Sequence, residues 1–204
     1  MDAPDIKDEV LRLIHEVPRL GTDELMLRPA SGTDVQEFES RFNLVVPREL
    51  REWLLICNGA PINPGGLFSL EEIARQYEWH PSWTGKGWIP LAGDGCGDSW
   101  VLATQERIRS IETHPIYFVD QSDYLHPAYV VASGAWHFFR FLFKDAILAK
   151  DFAVKPEHYA DELLYDIHDL KREHYWPFDK EKVLEEDPGL AHYAGSVPFP
   201  WDTE

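Results

Sequence analysis

The sequence predicts a protein of mixed helices and strands, with helices in the first eighty residues, strands between 88 and 131, and helices again after 133. Three stretches carry that reading. Pro47 to Gly59, P-R-E-L-R-E-W-L-L-I-C-N-G, has the pattern of one amphipathic helix. Trp88–Ala92 and Ser99–Ala103 read as strands joined by the glycine-rich turn G-D-G-C-G-D. Ser133 opens a strongly apolar helix that reaches about Ala149.

In the first of these, Pro47 suits the first helical position, where its missing N–H is not needed. Leu50, Trp53, Leu54 and Cys57 recur at i, i+3, i+4 and i+7 and share one face. Arg48, Glu49, Arg51 and Glu52 fall mostly on the other. Asn58-Gly59 ends the helix, because glycine accepts the left-handed backbone of a C-terminal cap.

The remaining elements follow in chain order. Asp5 to Glu16 is a helix with Ile6, Val10 and Leu13 in its apolar stripe, ended by Pro18. Residues 19–30 form a loop. Thr33-Asp-Val-Gln36 has the form of a capping box and opens a helix carrying Val35, Phe38 and Phe42. Leu67-Phe68 is a short strand, and Ser69 caps a helix to about Tyr77. His80 to Gly87 is a loop rich in Trp, Pro and Gly. Ile116–Val119 and Tyr129–Val131 are further strands. Phe138, Phe139, Leu142, Phe143 and Ala146 give the helix after Ser133 a wide apolar face. Phe141 and Leu148 do not fit it, so a further segment is expected to cover them. Pro156 to about Glu173 reads as a helix, followed by short turns at 180–186 and 188–194.

The chain has 204 residues, enough for one domain or one domain with an appendage. The expected division is a domain over 1–150 and an acidic helical extension over 151–204, packed on that domain. With 36 Asp and Glu against 19 Lys and Arg, the formal net charge is −17. Residues 151–204 hold 14 of the acids and 5 of the bases. Such a field repels nucleic acid and anionic membranes and attracts basic surfaces. No apolar run approaches the roughly 20 residues of a membrane span. The acidic N-terminus has no apolar signal-peptide core, and two cysteines make no disulfide framework. The expectation is a cytoplasmic protein with a protein partner, and with no nucleic-acid or membrane partner.

Four blocks, in order, resemble the SUKH superfamily, the Smi/Knr-like domain. They are L-R-P-A-S at 27–31, leading through a helix with Phe38 and Glu39 to V-P-R-E-L-R-E-W-L-L-I-C-N-G; W-I-P-L-A-G-D-G-C-G-D-S-W at 88–100; P-I-Y-F-V-D at 115–120; and V-A-S-G-A-W-H-F-F-R-F-L at 131–142. Pro47, Trp53, Asn58, Gly59, Gly95 and Gly97 are the structural positions of that pattern. The resemblance implies an α+β fold: a twisted, mainly antiparallel sheet with helices packed around it. It also implies a binding protein rather than an enzyme. Many bacterial members of that superfamily are immunity proteins that neutralise a cognate polymorphic toxin, often a nuclease. Fungal members act as regulatory interaction hubs. The expected function is therefore immunity against a basic toxin domain, with an endogenous regulatory or scaffolding module as the alternative.

Candidate site residues divide between anchors and carboxylates. Trp79 and Trp83, in a Pro/Gly-rich stretch, are expected to be partly exposed partner anchors. Asp94 and Asp98 on the glycine turn, Asp120 and Asp123 on the next loop, and Glu162, Asp166 and Asp169 on the C-terminal helix are expected to meet basic groups of a partner. Cys96 on its glycine turn invites a nucleophile reading, but Asp94 and Asp98 would raise rather than lower a thiol pKa, so a structural turn is expected. His158, Glu162 and Asp166 have metal-face spacing without a matching second helix, and His114, Asp120, Asp123 and His126 crowd one loop. No metal, cofactor or catalytic residue is predicted.

Overall fold

The computed structural model describes residues 5–16, 29–60, 62, 65–106, 113–153 and 176–202. The early apolar stripes become helices α1 (Ile6–Glu16), α2 (Gly32–Phe42) and α3 (Arg48–Leu54). Next come α4 (Leu70–Trp79) and α5 (Ser82–Lys86). Strands β1 (Trp88–Gly93), β2 (Ser99–Ala103), β3 (Ile116–Val119) and β4 (Tyr129–Ala132) follow. Helix α6 (Ala135–Ala153), helix α7 (Lys180–Glu186) and the 3-10 turns Pro188–Tyr193 and Pro200–Asp202 complete the described chain. The architecture is α+β, and the strands form one antiparallel meander in the order β1-β2-β3-β4. The expected loop over 19–28 and the expected helix over 156–173 lie outside the described residues.

Several expected boundaries move, each for a visible reason. Helix α3 starts after Pro47 and stops at Leu54, where the Ile56 and Cys57 N–H groups both turn back to the Trp53 carbonyl. The Leu54 carbonyl takes the Ala30 N–H (2.9 Å), so the A-S of the first block closes the helix end. Asn58 does not finish α3: its Oδ1 accepts the Leu70 N–H (2.9 Å) at the start of α4. Gly59 does adopt a positive φ of 92°. The capping box of α2 is Ser31 with Asp34, two residues earlier than expected. Ser133 does not cap α6. The Ala135 N–H goes instead to Glu49 Oε2 on α3 (2.9 Å), whose carboxyl burial lifts above its usual range against the pull of that bond. Leu67 makes only isolated bridges to Ala60 and Ala92. The stretch 80–87 contains a helix, α5, and 180–186 is helical rather than a turn.

Every residue of β1 and β2 is buried, so both sheet faces are covered. On one face Trp100 packs with Phe118 and with Phe138 of α6. On the other Trp88 meets Tyr117 and, behind them, Trp83 of α5. Behind α6, Trp53 of α3 lies against Phe139 (4.5 Å between ring centres), Phe143 and Trp136. Phe141, one of the two residues that did not fit the apolar face, stacks on Trp176, whose indole N–H donates to the Val131 carbonyl (3.1 Å); the Leu148 side chain lies outside the described residues. Both sheet edges are blunted as well. Phe68 donates to the Leu91 carbonyl beside β1, and Val130 of β4 donates to the Pro198 carbonyl (3.0 Å).

Asp187, at the C-terminal cap of α7, is fully buried and accepts both the N–H (2.7 Å) and the hydroxyl (2.5 Å) of Ser133. Nearby, Arg140 and Lys144 of α6 pair with Glu9 of α1 and Glu186 of α7. Asp187→Ala is expected to lower stability by about 3 kcal/mol, since it strands two buried donors. Chemical denaturation of wild type and variant measures it, and a loss under about 1 kcal/mol would assign Asp187 a minor role.

Candidate functional site

The interesting end of the molecule is where the β1–β2 turn, the β3–β4 loop and the C-terminus of α4 converge. Asp94 organises the first: its Oδ1 accepts the N–H groups of Cys96 (2.7 Å) and Asp98 (3.0 Å). Gly97 sits at φ 115°, and a Cβ there would fall 2.6 Å from the Gln121 side-chain oxygen, so this position needs glycine on two counts. The Asp98 Oδ1 then accepts the Gln121 N–H (2.9 Å), tying the turn to the neighbouring loop. Within that loop Asp120 accepts the Ser122 N–H, and Asp123 accepts from the Leu125 N–H and pairs with His126 Nδ1 (3.0 Å).

These carboxylates differ in what they feel. Burial, together with the nearby Asp94 and Asp120 carboxylates, lifts the Asp98 carboxyl above its ordinary range despite the Gln121 N–H. The Ser122 hydrogen bonds hold Asp120 below that range, and His126 does the same for Asp123. Among the described residues, Asp94, Asp98 and Asp120 have no Lys or Arg partner.

Beside them lies a groove of about 440 Å³. Asp98, Gln121, Trp79, Phe68 and Tyr124 line it. Trp79 is 65% exposed and Tyr124 45% exposed. Trp83 corrects an expectation: it is 1% exposed and no surface anchor. Its indole N–H donates to the Tyr124 carbonyl (2.8 Å), and His80 stacks on its ring with 4.2 Å between centres. Lys86 donates to the Leu125 carbonyl and lies over the Trp88 ring. Helix α5 therefore holds the loop that presents Tyr124.

Sequence reasoning named Trp79 and the four aspartates without placing them together; the sheet topology does that. It missed Tyr124, Phe68, Gln121 and His80. Tyr124-Leu125, two large apolar residues between Asp123 and His126 in a short polar loop, was the available signal. Glu162, Asp166 and Asp169 lie outside the described residues, as does His158. His114 Nδ1 contacts the Glu106 carbonyl, apart from the Asp123–His126 pair. Among the described residues no group of three His, Cys, Asp or Glu is placed to hold a metal.

Two experiments check this geometry. Trp83→Ala is expected to cost about 3–5 kcal/mol of stability, and Trp79→Ala to stay within about 0.5 kcal/mol, both read by denaturant unfolding. Cys96 is exposed, whereas Cys57 is buried, donates to the Gly59 carbonyl and has its thiol pushed up to about 11. Brief alkylation of the native protein should modify Cys96 alone by mass spectrometry, and both thiols after unfolding. Equal native labelling of Cys57 would contradict this packing.

Among the described residues no helix is long and apolar enough to cross a membrane. No curated protein matches the chain. A family model does, over residues 29–140, which runs from the closing contact of α3 through the meander into α6 and covers more than half of the sequence. The protein belongs to the SMI1 / KNR4 family (SUKH-1), whose fold is the α+β arrangement described above.

Proposed function

We propose that this protein is a non-enzymatic, cytoplasmic immunity protein that binds a basic toxin domain and covers its working surface. One observation carries the reading: exposed Trp79 and Tyr124 share a groove with Asp98, which with its neighbours Asp94 and Asp120 has no Lys or Arg partner among the described residues. Aromatic side chains supply desolvated contact area at an interface, and a concentrated negative field raises the association rate with a basic partner. The net charge of −17 extends that field over the whole molecule. Family membership supports a protein–protein role.

The test is capture of partners from the source lysate, washed at low and then high salt, followed by assay of any basic partner with and without this chain. Inhibition of a captured toxin supports the proposal. Replacing Asp94, Asp98, Asp120 and Asp123 by Asn should then slow association about tenfold to a hundredfold and flatten its salt dependence, measured by stopped-flow mixing. Unchanged association would place the interface elsewhere. Recovery of endogenous proteins with no toxin protected would assign the chain to regulation or scaffolding.

A further inference from the structure

The groove beside the glycine turn has a composition that selects for one kind of side chain. Asp98 lines it, with the Asp94 carboxylate accepting the Asp98 N–H and the Asp120 carboxylate close enough to act on it. Trp79, Tyr124 and Phe68 give it aromatic walls. Helix α4 ends at its rim, since Gln76, Trp79 and His80 all line it, and the last turn of α4 carries no basic residue. The carbonyl end of a helix bears partial negative charge and favours a cation. Lys86 of α5 is engaged with the Leu125 carbonyl and the Trp88 ring. At about 440 Å³ the groove has room for a long side chain but not for a folded segment.

We propose that this groove receives an arginine side chain of the protein partner, its guanidinium paired with Asp98 and laid against the aromatic lining of Trp79 and Tyr124. This rests on the binding-protein reading above and specifies its chemistry. Arginine fits better than lysine for three reasons. Its guanidinium is planar and stacks on aromatic faces. It is weakly hydrated, so entering a partly enclosed groove forfeits less solvation. It presents paired donors to a carboxylate. A lysine ammonium offers the charge without the stacking. A neutral side chain leaves the Asp98 cluster uncompensated.

The experiment needs no natural partner. The full chain is titrated with N-acetyl-arginine amide, and amide and indole resonances are followed by NMR. N-acetyl-lysine amide and the uncharged citrulline amide serve as comparisons. The expected result is saturable shifts centred on Trp79, Gly95, Gly97, Asp98, Gln121 and Tyr124. The arginine compound should bind about threefold to fivefold more tightly than lysine, and citrulline should leave the groove unperturbed. Trp79→Ala should weaken binding by a similar factor, and Asp98→Asn should abolish it while still accepting the Gln121 N–H. Absence of saturable shifts, parity of lysine with arginine, or shifts spread over the acidic surface would each overturn the proposal. Because the probe replaces the partner, those failures leave toxin binding to be judged by its own assay. Failure to find a toxin would likewise leave a positive titration standing.

Discussion

Asp187 is the constraint on which the arrangement of the chain depends. A carboxylate with no solvent exposure has lost its hydration and must recover it from protein donors. Ser133 provides two, one from the backbone and one from the hydroxyl. His137 lies on the same side, its Nε2 3.7 Å from Asp187, and burial keeps its imidazole below the usual range despite that carboxylate. Space is tight here: a Cβ on Gly189 would meet the Ser133 hydroxyl at 2.5 Å. The consequence is long-range. Ser133 sits where β4 hands over to α6, so a residue 54 positions later fixes the junction between sheet and helix. Glu49 holds the first turn of α6 from the opposite direction. Between them these two carboxylates set where α6 begins and hence which of its residues meet Trp53 and Trp100.

That placement explains why the family pattern and the packed unit differ in extent. The matched stretch ends at residue 140, within α6. Trp176, Val183, Leu190, Tyr193 and Phe199 lie beyond it, yet all belong to the buried core. Trp176 fills the space over Phe138 and Phe141, and Pro198 takes the outer hydrogen bond of β4. A meander with an open edge invites pairing with other chains. Here the edge is closed from within by the Pro198 carbonyl.

How much of this was legible depended on whether the signal was local. The strands and their glycine turn were readable because turn chemistry and β-branched or aromatic runs act over a few residues. Gly95 and Gly97 of the turn fall at positive φ, as the pattern implies. Helix ends were less legible, because their caps are tertiary. Asn58 looked like the end of α3 and instead caps α4; Ser133 looked like a helix cap and instead binds Asp187. Nothing within a ten-residue window distinguishes those outcomes. The aspartates of the glycine turn and the β3–β4 loop were legible singly, as loop carboxylates, but their proximity comes from the pairing of β2 with both neighbours.

Trp79 and Trp83 show what separates a structural aromatic from a presented one. They lie four residues apart in the same kind of sequence, and periodicity gave no reason to treat them differently. Trp83 enters α5, where its ring is covered by His80 and its N–H has the Tyr124 carbonyl. Trp79 ends α4 with its ring at the groove and most of its surface in water. A mostly exposed indole buries little apolar area and so adds little to the fold. Beside it, burial and the neighbouring Asp94 and Asp120 carboxylates lift the Asp98 carboxyl above its ordinary range. An exposed aromatic and an acidic cluster on one rim are what the cationic partner of the proposed function would cover, and Trp83 holds the Tyr124 loop in place through its indole N–H.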